Sequence, residues 1–181
     1  MGDYVQHVRL GVCPRESLQM RRKEGGFSLI ELLIVVAIVL IVAAVAVPNL
    51  LRSRMSANEA SAVASMRTVL TSEIVYASMY TVGFSANLIS LSDGGAVANC
   101  IPPALPSASS ACLLDSNVAS GTKNGYVFSY VPTNGGATNS SFKLNGDPAN
   151  PGSGQRHFYT DESNVLRVNI LVAASASDPA L

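Results

Sequence analysis

The sequence predicts an α+β fold, in which the second half of one long N-terminal helix packs on a four-stranded antiparallel sheet. Residues 32–47 are 16 consecutive apolar residues, and a helical pattern continues after them. The last third of the chain instead alternates short segments rich in β-forming residues with turn residues. With the apolar residues just before it, the run approaches the ~20 residues that a helix needs to cross a bilayer. The first half of the helix is therefore predicted to be transmembrane.

A single carboxylate, Glu31, interrupts the apolar region shortly after three cations at residues 21–23 and a glycine pair. An ionised carboxylate within a bilayer costs at least ~2.5 kcal/mol, so it is rarely found there without a partner. Cleavage after Gly26 would give Phe27 a free amino group four residues before Glu31. That ammonium would compensate the carboxylate, within one chain or between neighbouring chains. The carboxylate would also lie near the positive end of the helix.

Residues 26–31 read Gly-Phe-Ser-Leu-Ile-Glu, and with the basic residues before them they resemble the N-terminal motif of the type IV prepilin family. That family includes the subunits of type IV pili and the pseudopilins of type II secretion systems. The resemblance implies cleavage after Gly26 by a prepilin peptidase, N-methylation of Phe27, and assembly into a helical filament. Phe27, Glu31 and Pro48 would be the assembly residues.

The resemblance also implies where the protein acts and with which partners. Residues 1–26 would be the leader peptide, with Met20 as an alternative start, and the cations at 21–23 would keep the N-terminus of a single-pass precursor in the cytoplasm. Its partners would be the bacterial inner membrane, the prepilin peptidase, the pilus assembly platform and other copies of the chain. The filament would be an extracellular pilus or, as the alternative, a periplasmic pseudopilus of type II secretion.

A different class of protein fits part of the same pattern. Cations followed by an apolar core and a small-residue stretch also describe an ordinary secretory signal, cut after Ala46. The product would be a secreted or membrane-anchored binding protein. A carboxylate at the beginning of the apolar region is unusual for such a signal, and the apolar region continues into further helix. The sequence therefore favours the filament subunit.

The transmembrane or filament-core helix is predicted for residues 27–48, and its amphipathic continuation for residues 49–82. Pro48 is expected to kink the helix, because proline removes a backbone donor and crowds the carbonyl four residues earlier. Leu40 stands where many prepilins have glycine, so the resemblance does not include a flexible glycine before the proline.

The amphipathic continuation is expected to carry the sheet on one face. The apolar residues at helical spacing are Val63, Met66, Leu70, Ile74 and Ala77, with Arg67 and Glu73 off that stripe. Three aromatic residues follow at four-residue intervals, and we expect them to pack under the sheet: Tyr76, Tyr80 and Phe84.

Residues 83–124 are rich in Gly, Ala, Ser, Asn and Pro, and are predicted to form a loop region with little regular structure. Cys100 and Cys112 lie in this region, and two cysteines in an exported chain predict one disulfide. Closing so short a loop would contribute about 3 kcal/mol.

The sheet is predicted within residues 125–172. Its four strands are expected at residues 126–131, 141–144, 156–160 and 165–170. Pro132 and a turn around residues 134–136 would end the first strand, and residues 145–146 would end the second. Residues 173–181 are predicted to be a mobile tail of small residues.

Little in the sequence suggests catalysis or ligand binding. Residues 27–181 carry seven cations and nine anions, a formal charge of −2 that gives no attraction to nucleic acid. His157 is the only histidine in that range, without a nucleophile motif beside it. The carboxylates Asp161 and Glu162, with Asn164, are expected to form a turn rather than a calcium site, and Asn139 to be a turn residue rather than a glycan acceptor. We predict no enzyme, no cofactor and no metal.

Overall fold

The computed structural model describes residues 26–134 and 138–181. Its elements are α1 (Leu29–Tyr80), α2 (Leu88–Leu91), a 3-10 helix (Val97–Cys100), α3 (Ser116–Ala119), β1 (Thr122–Lys123), β2 (Tyr126–Asn134), β3 (Asn139–Pro148), β4 (His157–Asp161) and β5 (Arg167–Asn169). Residues 42–181 form one compact unit, called the head below. The predicted leader lies outside the described residues apart from Gly26.

The predicted α+β architecture of a long helix and an antiparallel sheet is confirmed. The sheet has the strand order β1-β2-β3-β4-β5, and every neighbouring pair is antiparallel. It therefore contains five strands rather than the four predicted. The additional strand is β1, whose two residues pair with Val127 and Tyr126 after a tight turn. Two polar residues carry too little pattern for a sequence to reveal a strand.

The prediction that Pro132 ends the first strand is wrong, because β2 continues to Asn134. Phe128 donates its backbone N–H to Gly121 O, on the side away from β3, at 2.7 Å. Pro132 lies four residues further on, so its nitrogen faces the same side of β2. Proline is tolerated where the donor that it lacks would face the edge of a sheet. The turn predicted around residues 134–136 lies largely outside the described residues.

The prediction that residues 145–146 end the next strand is also wrong, since β3 continues to Pro148. Gly146 pairs with both β2 and β4. A Cβ atom at this position would lie 3.0 Å from Met66 Sδ of α1. The glycine therefore lets the strand pass closely under the helix, and it does not act as a turn residue.

The core lies between the second half of α1 and one face of the sheet. Its largest fully buried side chains include Met66, Tyr126, Phe142, Leu144 and Phe158. Aromatic packing continues through Phe84 and Tyr130, whose ring centroids lie 4.8 Å and 5.5 Å from that of Phe142. Tyr76 and Tyr80 pack on each other at 4.9 Å. The predicted packing of the three spaced aromatic residues is thus observed.

The predicted inner stripe of α1 is correct only in part. Met66 and Leu70 are buried, but Ile74 is 51% exposed and Glu73 is completely buried. The helix face that meets the sheet therefore turns away from Ile74 towards Glu73. The charged side chain is accommodated because it has hydrogen-bond donors inside the head, as described below.

Residues 83–124 contain more regular structure than predicted, namely α2, the 3-10 helix, α3 and β1. Two of these are capped by side chains: Asn87 accepts the N–H of Ser90, and Asp115 accepts that of Asn117. Such caps stabilise helices too short to be recognised from periodicity.

The C-terminal residues are held against β5 rather than free. Val168 donates its N–H to Pro179 O, and Leu181 donates to Leu166 O. Asp178 accepts a hydrogen bond from Asn169 Nδ2 at 2.8 Å. The segment thus covers the outer edge of β5, and the composition of small residues did not predict this contact.

Candidate functional site

The N-terminal part of α1 presents apolar side chains that no other described residue covers. Phe27 is 73% exposed, Leu40 63% and Leu51 55%. This helix is long and apolar enough to cross a membrane, with none of its most apolar window buried. The continuous apolar sequence forms the helix, and whatever buries it lies outside the described residues.

The charged group of this segment lies in the first turn of the helix. α1 begins at Leu29, and the carbonyl of Ser28 accepts the backbone N–H of Glu31 at 3.1 Å and that of Leu32 at 3.2 Å. The ion pairs among the described residues are Lys123–Asp115, Arg156–Glu59 and His157–Asp147. The Glu31 carboxylate is therefore without an ionic partner in the described part of one chain, and Phe27 lies one turn before it.

The sequence of this segment, with its exposed aromatic residue, acidic first turn and apolar helix, is similar to known sequences. Residues 21–47 match the family described as the prokaryotic N-terminal methylation motif. The chain is also 46% identical, over 55 residues, to the type IV wide pilus major component PilA4 of Thermus thermophilus. The N-terminal segment of the chain is therefore similar to that of a type IV pilin and carries the methylation motif.

The similarity is confined to part of each protein. The aligned segment covers 30% of this chain and 42% of the Thermus relative, so the chain spans less than half of that relative's length. No solved structure gives a significant match.

Pro48 lies inside α1, and the helix continues through it. The following residue supplies a side-chain donor at this point, since Asn49 Nδ2 donates to Val45 O at 3.1 Å. Ser53 Oγ donates to Asn49 O one turn later. These side-chain bonds support backbone carbonyls next to the position where proline removes a donor.

Cys100 and Cys112 are joined by a disulfide, with their Cα atoms 5.7 Å apart. It closes the segment between the 3-10 helix and the chain that returns beside α2. Cys112 donates its N–H to Ser92 O, and Leu113 donates to Leu91 O. The disulfide therefore ties an exposed apolar loop to the buried end of α2.

The other side chains weighed from the sequence have structural contacts. Asp161 Oδ1 accepts the N–H of Ser163, and Asn164 adopts a φ of 60°, which is turn geometry. His157 Nδ1 lies 2.6 Å from Asp147 Oδ1, across β3 and β4. Asn139 Nδ2 donates to the carbonyls of Phe84 and Ser85. Asn139 is half-buried, and its side-chain amide is held by these backbone carbonyls.

The sequence did not predict one buried polar cluster. The Glu73 carboxylate accepts hydrogen bonds from Ser85 inside the head. Burial, with the charge of Glu73 as a smaller cause, raises the pKa of the nearby Tyr130. The signal was present as spacing: Glu73 is four residues beyond the buried Val69 and three before the buried Tyr76. The sequence analysis placed Glu73 off the apolar stripe, and charged side chains are rarely buried.

Proposed function

We propose that this protein is the structural subunit of a type IV pilus-like filament, processed after Gly26 and assembled through the first part of α1. The uncovered apolar surface of residues 27–51 carries the proposal. Contiguous exposed apolar surface of this kind indicates a membrane or protein interface. The same surface would serve first to anchor the precursor in the inner membrane, with the head outside the cytoplasm, and then to pack against other copies.

The charges at the start of α1 give the assembly its register. Cleavage after Gly26 creates an ammonium on Phe27, and N-methylation leaves that amine basic. In a filament core, the ammonium of one copy would lie against Glu31 of a neighbour. Because an unpaired charge in such surroundings is strongly destabilising, only the axial positions that bring the two groups together would be stable.

Two observations favour this function over its alternatives. The curated relative is named as a major component of a type IV pilus, which favours a pilus over a type II secretion pseudopilus. Ala46, where an ordinary signal sequence would be cut, lies inside α1. Cleavage there would require the helix to unwind. The prepilin peptidase and an assembly platform are the partners that the proposed pathway requires.

The proposal is tested by mass spectrometry of filaments sheared from the cell surface. We expect the chain there with N-methylated Phe27 as its first residue. A chain that begins at Val47, or that is absent from sheared filaments, would refute the proposal. The variant Ala46→Leu provides a control: it should leave filament processing unchanged, whereas an ordinary signal peptidase needs a small residue at this position.

A further inference from the structure

One end of the head exposes apolar side chains beside cations. The residues directly after β5 are exposed by 68%, 84% and 62%: Ile170, Leu171 and Val172. Ile170 lines a cavity of about 290 Å³ together with Arg52, Met55 and Arg156. Arg156 pairs with Glu59 at 3.4 Å, whereas no ion pair of the described residues involves Arg52. Glu59 lines the same cavity and compensates Arg156, so Arg52 supplies the remaining positive charge. We call this surface, residues 170–172 with Arg52, the cationic end.

A second apolar surface lies beside the carboxylate of Asp93. The 3-10 helix and the disulfide-closed loop after it expose three large side chains, by 65%, 55% and 86%: Val97, Ile101 and Leu105. The loop adjoins Asp93, whose carbonyl accepts Asn99 Nδ2 at 2.8 Å. Asp93 lines a cavity of about 260 Å³ with Ile89 and Ser116. We call residues 97–105 with Asp93 the anionic end.

The two surfaces lie at opposite ends of the helix that carries the head. Arg52 and Met55 lie at one end of this part of α1, beside the cationic end. Tyr76 lies near its other end and donates its hydroxyl to Ala108 O, shortly after Leu105, at 2.8 Å. Met55 and Tyr76 are separated by about 30 Å along α1, from the rise of 1.5 Å per residue. The cationic end of one head therefore cannot bind the anionic end of the same head.

We propose that the cationic end of one head binds the anionic end of the head of a second copy, with Arg52 facing Asp93 and residues 170–172 packing on the loop 97–105. Each surface has an apolar area beside a charge, and the two charges have opposite signs. The two surfaces are therefore complementary. Two different surfaces make a heterologous contact, which leaves one free surface at each end and so extends into an open chain. This inference rests on the proposed filament function and adds a head-to-head interface to its helical core.

Charge reversal tests the contact in filaments of the full chain. Arg52→Glu and Asp93→Lys should each lower the yield of sheared filaments by about tenfold or more, because like charges would then face each other. The double variant should recover most of the yield. The control Arg54→Glu lies about 200° around the helix from residue 52 and should assemble normally.

Co-expression of the two single variants separates a lost contact from a damaged fold. Copies carrying Arg52→Glu and copies carrying Asp93→Lys present opposite charges at each contact when they alternate, so the mixture should form filaments that neither forms alone. Normal yields from the single variants, or no recovery in both the double variant and the mixture, would overturn the inference.

The apolar part of the contact is tested by a matched pair of variants. Leu171→Asp should reduce filament yield, whereas Val131→Asp, at a residue that is 54% exposed on β2, should not. Equal effects of the two variants would contradict a contact at residues 170–172. Wild-type filaments beginning at Phe27 with no effect of any of these variants would leave the proposed function standing and refute only the head-to-head interface.

Discussion

The Glu73 carboxylate accepts hydrogen bonds from both the backbone N–H and the hydroxyl of Ser85, and both residues are fully buried. The carbonyl of Ser85 in turn accepts the Tyr130 hydroxyl at 3.0 Å and Asn139 Nδ2 at 3.0 Å. The cluster thus connects α1 to the first residues after it and to strands β2 and β3. It determines where the chain leaves the helix and reaches the sheet.

Replacement of Glu73 by leucine should destabilise the head by about 3 kcal/mol, because two buried donors of Ser85 lose their acceptor. Glu73→Gln should cost less, since its amide oxygen still accepts one of these bonds. The free energy of unfolding is measured by denaturant titration of the detergent-solubilised chain. The exposed control Glu162→Gln should be neutral. A leucine variant as stable as the wild type would show that the cluster contributes nothing.

Alkaline pH should destabilise the head. Burial raises the pKa of Tyr126 to about 12 from an ordinary 10.0, and burial also raises that of Tyr130. The folded state therefore binds protons that the unfolded state releases above pH 10. Stability is fully present below pH 10 and is lost as the pH rises towards 12. This pH dependence is checked by measuring the melting temperature across this pH range, together with the absorbance of tyrosinate. A constant melting temperature up to pH 12 would contradict it.

Removal of the disulfide by Cys100→Ser with Cys112→Ser should lower the free energy of unfolding by about 3 kcal/mol, since a loop with a sequence separation of 12 is no longer closed in the unfolded chain. Reduction of the wild type should have the same effect, which makes it the internal control. The result would be contradicted if the reduced and oxidised chains unfolded at one denaturant concentration.

The C-terminal segment should detach from β5 in acid. Hydrogen bonds from Ser175, with a smaller contribution from Asn169, hold the pKa of Asp178 below its usual 3.8. A lowered folded pKa gives stability that is present above 3.8 and is lost as the pH falls through the lower folded value. Hydrogen exchange of the Val168 and Leu181 amides should accelerate as the pH falls through the lowered pKa of Asp178. It should also accelerate in the variant Asp178→Ala, but not in the variant Glu162→Ala. Equal exchange in both variants would refute the role of Asp178.

Glu31→Ala should leave membrane insertion and cleavage after Gly26 intact but prevent filament assembly, because the Phe27 ammonium would lose its partner. Glu31→Asp should retain part of the assembly, and Ser28→Ala, in the same turn, should assemble normally. Membrane fractions and sheared filaments are compared by immunoblotting. Abundant filaments from the alanine variant would refute the pairing.

The sequence predicted those features that depend on local composition. The apolar run after the glycine pair predicted a helix long enough to cross a membrane, and the motif around Phe27 and Glu31 resembles that of type IV prepilins. Four of the five strands were recognisable, since β-forming residues bounded by turn residues need no knowledge of their partners. The pairing of Cys100 with Cys112 followed from their being two cysteines in an exported segment.

Only the tertiary structure decided which residues face one another. Glu73 was expected outside, yet donors from the loop that follows α1 make its burial tolerable. Pro132 was expected to end a strand, yet its nitrogen faces a sheet edge. Gly146 was expected to turn the chain, yet it makes room for Met66. In each case the local preference was correct for an isolated segment, and contacts between segments far apart in sequence outweighed it, which no pattern along the chain can show.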